Sequence, residues 1–134
     1  MTRHSSAFTF ALLATIATPT LAAEWLKMSE GNHGSSYIDV ATISRDGNLA
    51  QVWQLQDLDQ AGRAGEMSRQ LLVEYDCTDQ RFRVLSYSMH SGTMATGMRL
   101  LSENLAGNNP GAWRSTAPNS PAEIISRNAC SVQI

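Results

Sequence analysis

Residues Glu66–His90 read EMSRQLLVEYDCTDQRFRVLSYSMH. The first half alternates. Met67, Arg69, Leu71, Val73 and Tyr75 fall on one side of an extended chain, and Ser68, Gln70, Leu72, Glu74 and Asp76 on the other, the period-two pattern of a strand. Thr78-Asp79 is a tight turn. Gln80–His90 runs back as the antiparallel partner, with Phe82 and Val84 on one face and Leu85, Tyr87 and Met89 on the other. Two long strands joined so closely form a hairpin, and the hairpin makes an antiparallel sheet the organising element of the chain. Glu74 and Asp76 face Arg81 and Arg83 across it. Such a charge ladder contributes a few tenths to ~1 kcal/mol per pair and needs no further function. The competing reading of the two arginines is an exposed anion-binding strip.

The flanking segments extend the sheet. Glu24–Ser29 is a first strand, Glu30–Gly34 a turn and Ser35–Val40 a second strand. Ala41-Thr42-Ile43 fits a single helical turn after Asp39. Asp46-Gly47 predicts a type I′ hairpin turn leading into a strand at Asn48–Asp57. Its more apolar set, Leu49, Gln51, Trp53 and Leu55, is expected to face the core. Asp57–Gly65 is polar and glycine-containing and reads as a flexible loop. Beyond the hairpin, Ser91-Gly92-Thr93 breaks the chain and Met94–Leu101 resumes as a strand. Gly97 inside it implies a bulge or a close backbone approach. Asn104–Gly111 is loop, and Trp113 opens a short extended piece. Ser120-Pro121-Ala122-Glu123 is a capping box with proline at the first helical position. It predicts a helix from Pro121 to about Ala129, with Ile124 and Ile125 turned inward. The fold class is therefore α+β: an antiparallel sheet of about six strands with one C-terminal helix.

The N-terminus reads as a secretory leader. A basic start at Arg3 precedes the apolar run Ala7–Ala17, then Pro19 and the small residues Ala22-Ala23, the three-part plan of a signal peptide. Cleavage after Ala23 leaves residues 24–134 as one domain, with Ala22 as the alternative site. The apolar run is too short to span a bilayer, which takes roughly 20 residues. No cysteine stands at the cleavage site, so no lipid anchor is expected there. The product is expected to be periplasmic or secreted. Cys77 and Cys130 are the only cysteines, and in an exported chain two cysteines pair. Their disulfide ties the end of the Glu66–Cys77 strand to the end of the helix. Closing such a loop contributes about 4 kcal/mol in the chain-entropy model.

Composition and motifs exclude several classes of function. Net charge is −2, too mild to imply a nucleic acid or an anionic membrane surface as partner. Nucleophile-elbow, phosphate-loop, dinucleotide and His-Glu-x-x-His patterns are absent. His33 and His90, the histidines beyond the leader, lie beside Gly/Ser turns where solvated histidines sit, without metal-type spacing. Neither metal nor cofactor is expected. Ser88 and His90 share a strand face about 7 Å apart in strand rise, a poor separation for a catalytic hydrogen bond. Trp25, Trp53 and Trp113 are expected in or half in the core, an exposed one being a partner anchor, and Met89, Met94 and Met98 as core filler, with an adaptable binding surface as the competing reading.

In order, Glu24-Trp25, Tyr37-Ile38-Asp39, Ile43-Ser44-Arg45-Asp46-Gly47, Val52-Trp53, Glu74-Tyr75-Asp76-Cys77, Arg81-Phe82-Arg83-Val84-Leu85-Ser86, Ser91-Gly92, Gly97, Trp113 and the helix ending at Cys130 resemble the bacterial surface-adhesin protein E-like family. The resemblance spans residues 24–134. It implies the same helix-on-sheet fold with its disulfide, and a surface protein that binds host matrix components. The founding adhesin is lipid-anchored, and this leader departs from that.

The expected function is a non-enzymatic exported binding or accessory module with an unknown protein ligand, a host-matrix or envelope component. The candidate surface is the outward face of the hairpin, with Arg69, Arg81, Arg83 and Tyr87. A small periplasmic enzyme or enzyme-inhibitor-like protein is the first alternative. A structural homodimer through an exposed strand edge is the second.

Overall fold

The computed structural model describes residues 23–105, 107 and 110–132. The expected leader up to Ala22 lies outside them. Eight described strands form one sheet: β1 (Trp25–Gly31), β2 (Gly34–Asp39), β3 (Ser44–Asp46), β4 (Leu49–Leu58), β5 (Ser68–Asp76), β6 (Arg81–His90), β7 (Arg99–Asn104) and β8 (Arg114–Ser115). Six of them follow the path β1-β2-β4-β5-β6-β7, all antiparallel, while β3 adds to β4 and β8 to β6. One helix, α1 (Pro121–Ser131), packs against one face over β1, β4 and β5.

The core lies between helix and sheet. Ile38, Ala50, Val52, Val73, Tyr75, Ile125 and Ala129 form it. Ile125 and Ala129 are one helical turn apart and supply the buried stripe of α1, while Ile124 is only half-buried. The Tyr75 phenol is buried, donates to Gln54 Oε1 at 2.5 Å, and is pushed upward in pKa by that burial. The expected inner face of β4 is therefore reversed. Ala50, Val52 and Gln54 face the helix, because small and branched side chains fit beneath it and Gln54 has a buried partner. Leu55 is also fully buried, on the opposite face. Trp25, Trp53 and Trp113 are half-buried.

Ser120 caps α1 as predicted, accepting from the Glu123 amide at 3.2 Å. Glu123 reaches back one residue further than a capping box requires, to the Asn119 amide at 2.6 Å. The other end is closed by Arg45. On β3, Arg45 donates through Nη1 to the carbonyls of Cys130 (2.6 Å) and Val132 (3.1 Å) and through Nη2 to that of Gly47 (2.9 Å). These last carbonyls have no helical donor, and a cation suits the negative end of the helix. The Cys77–Cys130 disulfide sits beside this cap, with a Cα–Cα distance of 5.8 Å.

Turn chemistry accounts for the other departures. Asp46 pairs with Leu49, so the β3–β4 turn is Gly47-Asn48. Only Gly47 has positive φ, the pattern of a II′ turn and not the expected I′. Gly34 opens β2 at φ 133°, and a Cβ there would lie 1.9 Å from the Asp57 carbonyl oxygen. The β5–β6 turn spans four residues, with Asp76 Oδ1 accepting from the amides of Thr78 and Asp79 at 3.1 Å each. The predicted strand from Met94 starts instead at Arg99. Ser91–Met98 is a hairpin loop closed by Ser91 N–H to Met98 O (2.9 Å) and Gly92 N–H to Thr96 O (2.9 Å), and Met94, Ala95 and Gly97 all have positive φ. Met98 is 71% exposed and fills no core.

Candidate functional site

The charge ladder across the hairpin is present and half-sunk into the sheet. Glu74 and Asp76 are buried. Arg83 donates to Glu74 Oε1 through Nε at 2.9 Å, with Nη2 at 2.7 Å from the same oxygen. Gln51 Nε2 occupies Oε2 at 3.0 Å. Arg81 Nε donates to Asp76 Oδ2 at 3.1 Å. The Asp79 amide, ahead of the Arg81 guanidinium, holds the Asp76 carboxyl below its usual range. Trp113 joins the two pairs: the Arg81 and Arg83 guanidinium carbons lie 4.5 and 4.3 Å from its ring centroid. Cations over an indole face gain ~0.5–2 kcal/mol, so Trp113 fixes the return of the chain onto β6, where Arg114-Ser115 pairs with Phe82-Arg81.

Arg69 is placed by Glu66. The Glu66 side chain is 2% exposed and accepts from Arg69 Nη2 (2.7 Å) and Nε (3.1 Å), and from the Ala64 amide (3.0 Å). Hydrogen bonding from Arg69 is the largest effect holding this carboxyl below its ordinary range. Gly62 N–H to Glu66 O (2.8 Å) and Gly65 N–H to Gly62 O (3.0 Å) complete a tied loop. The segment expected to be flexible is thus anchored by a buried carboxylate, which the polar composition of Asp57–Gly65 did not reveal.

One residue decides the shape of the next feature. Leu72 pairs with Ser86 and Val73 with Val84, so Leu85 is an extra residue in β6. A bulge shifts the alternation by one position. Phe82 and Val84, expected opposite Tyr87 and Met89, therefore share the helix-side face with them. The bulge also interrupts the outer edge of β6. β7 pairs beyond it and β8 before it, and the intervening chain bonds to it through Leu105 N–H to Leu85 O (2.6 Å) and Gly111 N–H to Val84 O (2.9 Å). A Cβ on Gly111 would lie 3.0 Å from Val84 O, so glycine allows this flat approach. The result is a cleft of about 340 Å³ with Leu71, Phe82, Val84 and Met89 in its lining, bordered by Arg69, Arg83, Tyr87 and Arg114.

The four residues expected on one outward face are divided. Arg69 and Tyr87 stand on the helix side, in register with Met89 and Leu71. Arg81 and Arg83 pair with Asp76 and Glu74 on the other. The cleft brings together Arg69, Arg83 and Tyr87, and Arg81 remains outside it at Trp113. Burial, with Glu103 as a hydrogen-bonding neighbour, raises the Tyr87 phenol. Sequence reasoning missed Trp113 and Arg114 as members of this region. The alternating signs at Glu74, Asp76, Arg81 and Arg83 were the available signal, but nothing indicated what would stack on them.

The histidines also separate. His33 is exposed, whereas His90 is 5% exposed and its Nε2 lies 2.8 Å from Ser88 Oγ. The separation expected to forbid this contact is between backbones, and the imidazole spans it. Chemistry does not follow from the contact. A catalytic base must become imidazolium during the reaction, and a third group normally orients and stabilises it. Burial, then the Arg99 charge, pushes the His90 pKa down, and among the described residues no carboxylate is hydrogen-bonded to its ring. The described residues hold no cluster of three or more metal-ligating side chains, and none of their helices is long and apolar enough to cross a membrane.

The geometry defines a small disulfide-braced domain of one antiparallel sheet and one helix, with its polar features grouped along one hairpin. The chain belongs to the surface-adhesin protein E family, whose model matches residues 25–131. Its fold is similar to that of Haemophilus influenzae protein E. One crystal form has a TM-score of 0.62 at 12% identity, covering 89% of this chain and 97% of that one. A selenomethionine form has a TM-score of 0.59 at 13% identity, covering 83% and 93%. Protein E from non-typeable Haemophilus influenzae has a TM-score of 0.51 at 16% identity, covering 84% and 82%. No curated protein matches the chain in sequence.

Proposed function

We propose that this chain is an exported, non-enzymatic binding module of the bacterial envelope, adhesin-like, with a host-matrix or envelope protein as ligand. The observation that carries the reading is the Trp113 clamp: a half-buried indole stacked by two arginines whose carboxylate partners hold them in place. Tryptophan and arginine dominate the residues that carry binding energy at protein interfaces, and prior fixation lowers the entropy lost on association. Family membership supports the same reading. The His90 environment, which disfavours the imidazolium, speaks against a serine hydrolase.

Immobilised matrix proteins and envelope fractions, titrated with the wild-type chain, test this. Saturable binding that falls at least tenfold in Arg81→Lys/Arg83→Lys, where charge and fold are retained and the planar stacking lost, is the expected result. Binding to none of these, or binding unchanged in that variant, removes the site. Export is tested by fractionation, with mature protein expected in the periplasm or medium.

A homodimer is a second reading. β7 is the last strand on its side of the sheet and is exposed at all six residues, with Leu100 at 37% and Leu101 at 41%. An open edge of this kind pairs with another strand. Sedimentation at two concentrations distinguishes it from a monomer.

A further inference from the structure

We infer that the cleft at the Leu85 bulge binds a medium-chain fatty acid, tail on the floor and carboxylate among the arginines. This goes beyond the protein-partner reading and does not depend on it. The floor supplies the tail site. Phe82, Val84, Tyr87 and Met89 follow one another along β6 with Leu71 beside them, giving a track, apolar but for the Tyr87 hydroxyl, that runs with the strand for on the order of 20 Å. Such a track is longer than it is wide, and matches an extended alkyl chain better than a compact ring. The volume of 340 Å³ falls at the small end of the roughly 300–1,000 Å³ typical of ligand pockets.

The rim supplies the head site. Arg69 and Arg114 border the cleft on its own face, and no Asp or Glu among the described residues lines it; Arg83 contributes to the lining, but its guanidinium is held by Glu74 and Trp113 on the opposite face. Arg69 uses Nε and Nη2 on one carboxylate oxygen of Glu66. Its Nη1 keeps its donors, on a guanidinium already held in position. Arg114 is exposed and has no ion-pair partner among the described residues. With Arg69 balanced by Glu66, the unpaired Arg114 is the cation left to meet a monoanion. Glu103 neighbours the Tyr87 phenol and keeps its negative charge there, which turns the anionic head toward Arg114. A guanidinium–carboxylate contact is charge-assisted and directional.

Calorimetric titration of the purified, oxidised chain with decanoate, below its micelle concentration, tests the inference. Decyltrimethylammonium has the same tail with a cationic head, and acetate the head without the tail. Decanoate is expected to saturate one site per chain, and the other two to bind at least tenfold more weakly. Arg114→Ala should weaken decanoate about tenfold, the low end of what a charge-assisted hydrogen bond contributes. Ala112→Trp, at an exposed lining position, should abolish binding by filling the cleft. Both substitutions lie at exposed positions and should leave the urea midpoint unchanged. Equal binding of decanoate and the cationic amphiphile, absence of a saturable decanoate site, or wild-type affinity in either variant would overturn the assignment.

Discussion

Replacing Cys77 and Cys130 by serine removes a cross-link between residues 53 positions apart. The entropy returned to the unfolded chain lowers stability by about 4 kcal/mol. That is a large part of the ~5–15 kcal/mol typical of a domain, and corresponds to a fall in Tm on the order of 15 °C. The structure also says where the loss appears first. α1 has 11 residues, too few to be helical alone in water. Without the disulfide it is held by Ile125 and Ala129, 1% and 0% exposed, and by the Arg45 cap. Full burial of an isoleucine contributes ~1.5–3 kcal/mol. The strands β4 and β5 keep their pairing on both sides. Urea unfolding of the oxidised and Ser/Ser chains should therefore differ by about 4 kcal/mol. Amide exchange at residues 122–131 should accelerate more than at β4 and β5. A difference under ~1 kcal/mol, well below that estimate, or helix amides that remain as protected as those of β5, would refute the brace.

Three further outcomes are expected. Gly34→Ala forces a Cβ against the Asp57 carbonyl at φ 133°; stability should fall by at least ~3 kcal/mol in chemical denaturation, and a loss under half of that would show that the β1–β2 turn adjusts freely. Glu66→Gln leaves Arg69 without its anion and should cost about 2 kcal/mol, less than a fully buried pair because the Arg69 side chain is 34% exposed; unchanged stability and unchanged protection of the Gly62 amide would contradict the anchoring role. Acid should destabilise the chain in two windows. His90 has a depressed folded pKa, so below its ordinary 6.5 the unfolded chain takes up a proton that the folded chain refuses, and stability falls. Glu66 and Glu123 are depressed from 4.5, and the stability they contribute above that value is lost as pH drops further. His90→Gln should remove the upper window alone, and a pH profile identical to wild type would refute its assignment.

Much of the fold was legible because it is written in local pattern. The alternation of Met67–Asp76, the Ser120-Pro121-Ala122-Glu123 signature and the two cysteines each point to one structure, and together they define a sheet, a helix and their link. The failures share a cause: they depend on what crosses the sheet. Leu49 and Trp53 looked more apolar than Ala50 and Val52, but the helix selects side chains that fit under Ile125 and Ala129. Leu85 reads as an ordinary strand residue; only the pairing of adjacent Leu72 and Val73 with Ser86 and Val84 leaves it without a partner on β5. That single offset places Tyr87 and Met89 beside Val84 and creates the cleft. Arg45 and Trp113 are separated by long stretches of chain from the groups they hold, Cys130 and Arg81, so no spacing rule connects them.

The most direct test of the binding account is equilibrium titration of one captured matrix or envelope protein with three forms of the chain: wild type, Arg81→Lys/Arg83→Lys and Trp113→Ser. Urea midpoints measured on the same samples separate lost binding from lost fold. The account predicts saturable wild-type binding, a Kd at least tenfold higher in both variants, and cooperative unfolding throughout, at lowered midpoints in the variants that still leave the chain folded under the binding conditions. Three equal affinities, or no partner that saturates the wild-type chain, would contradict it.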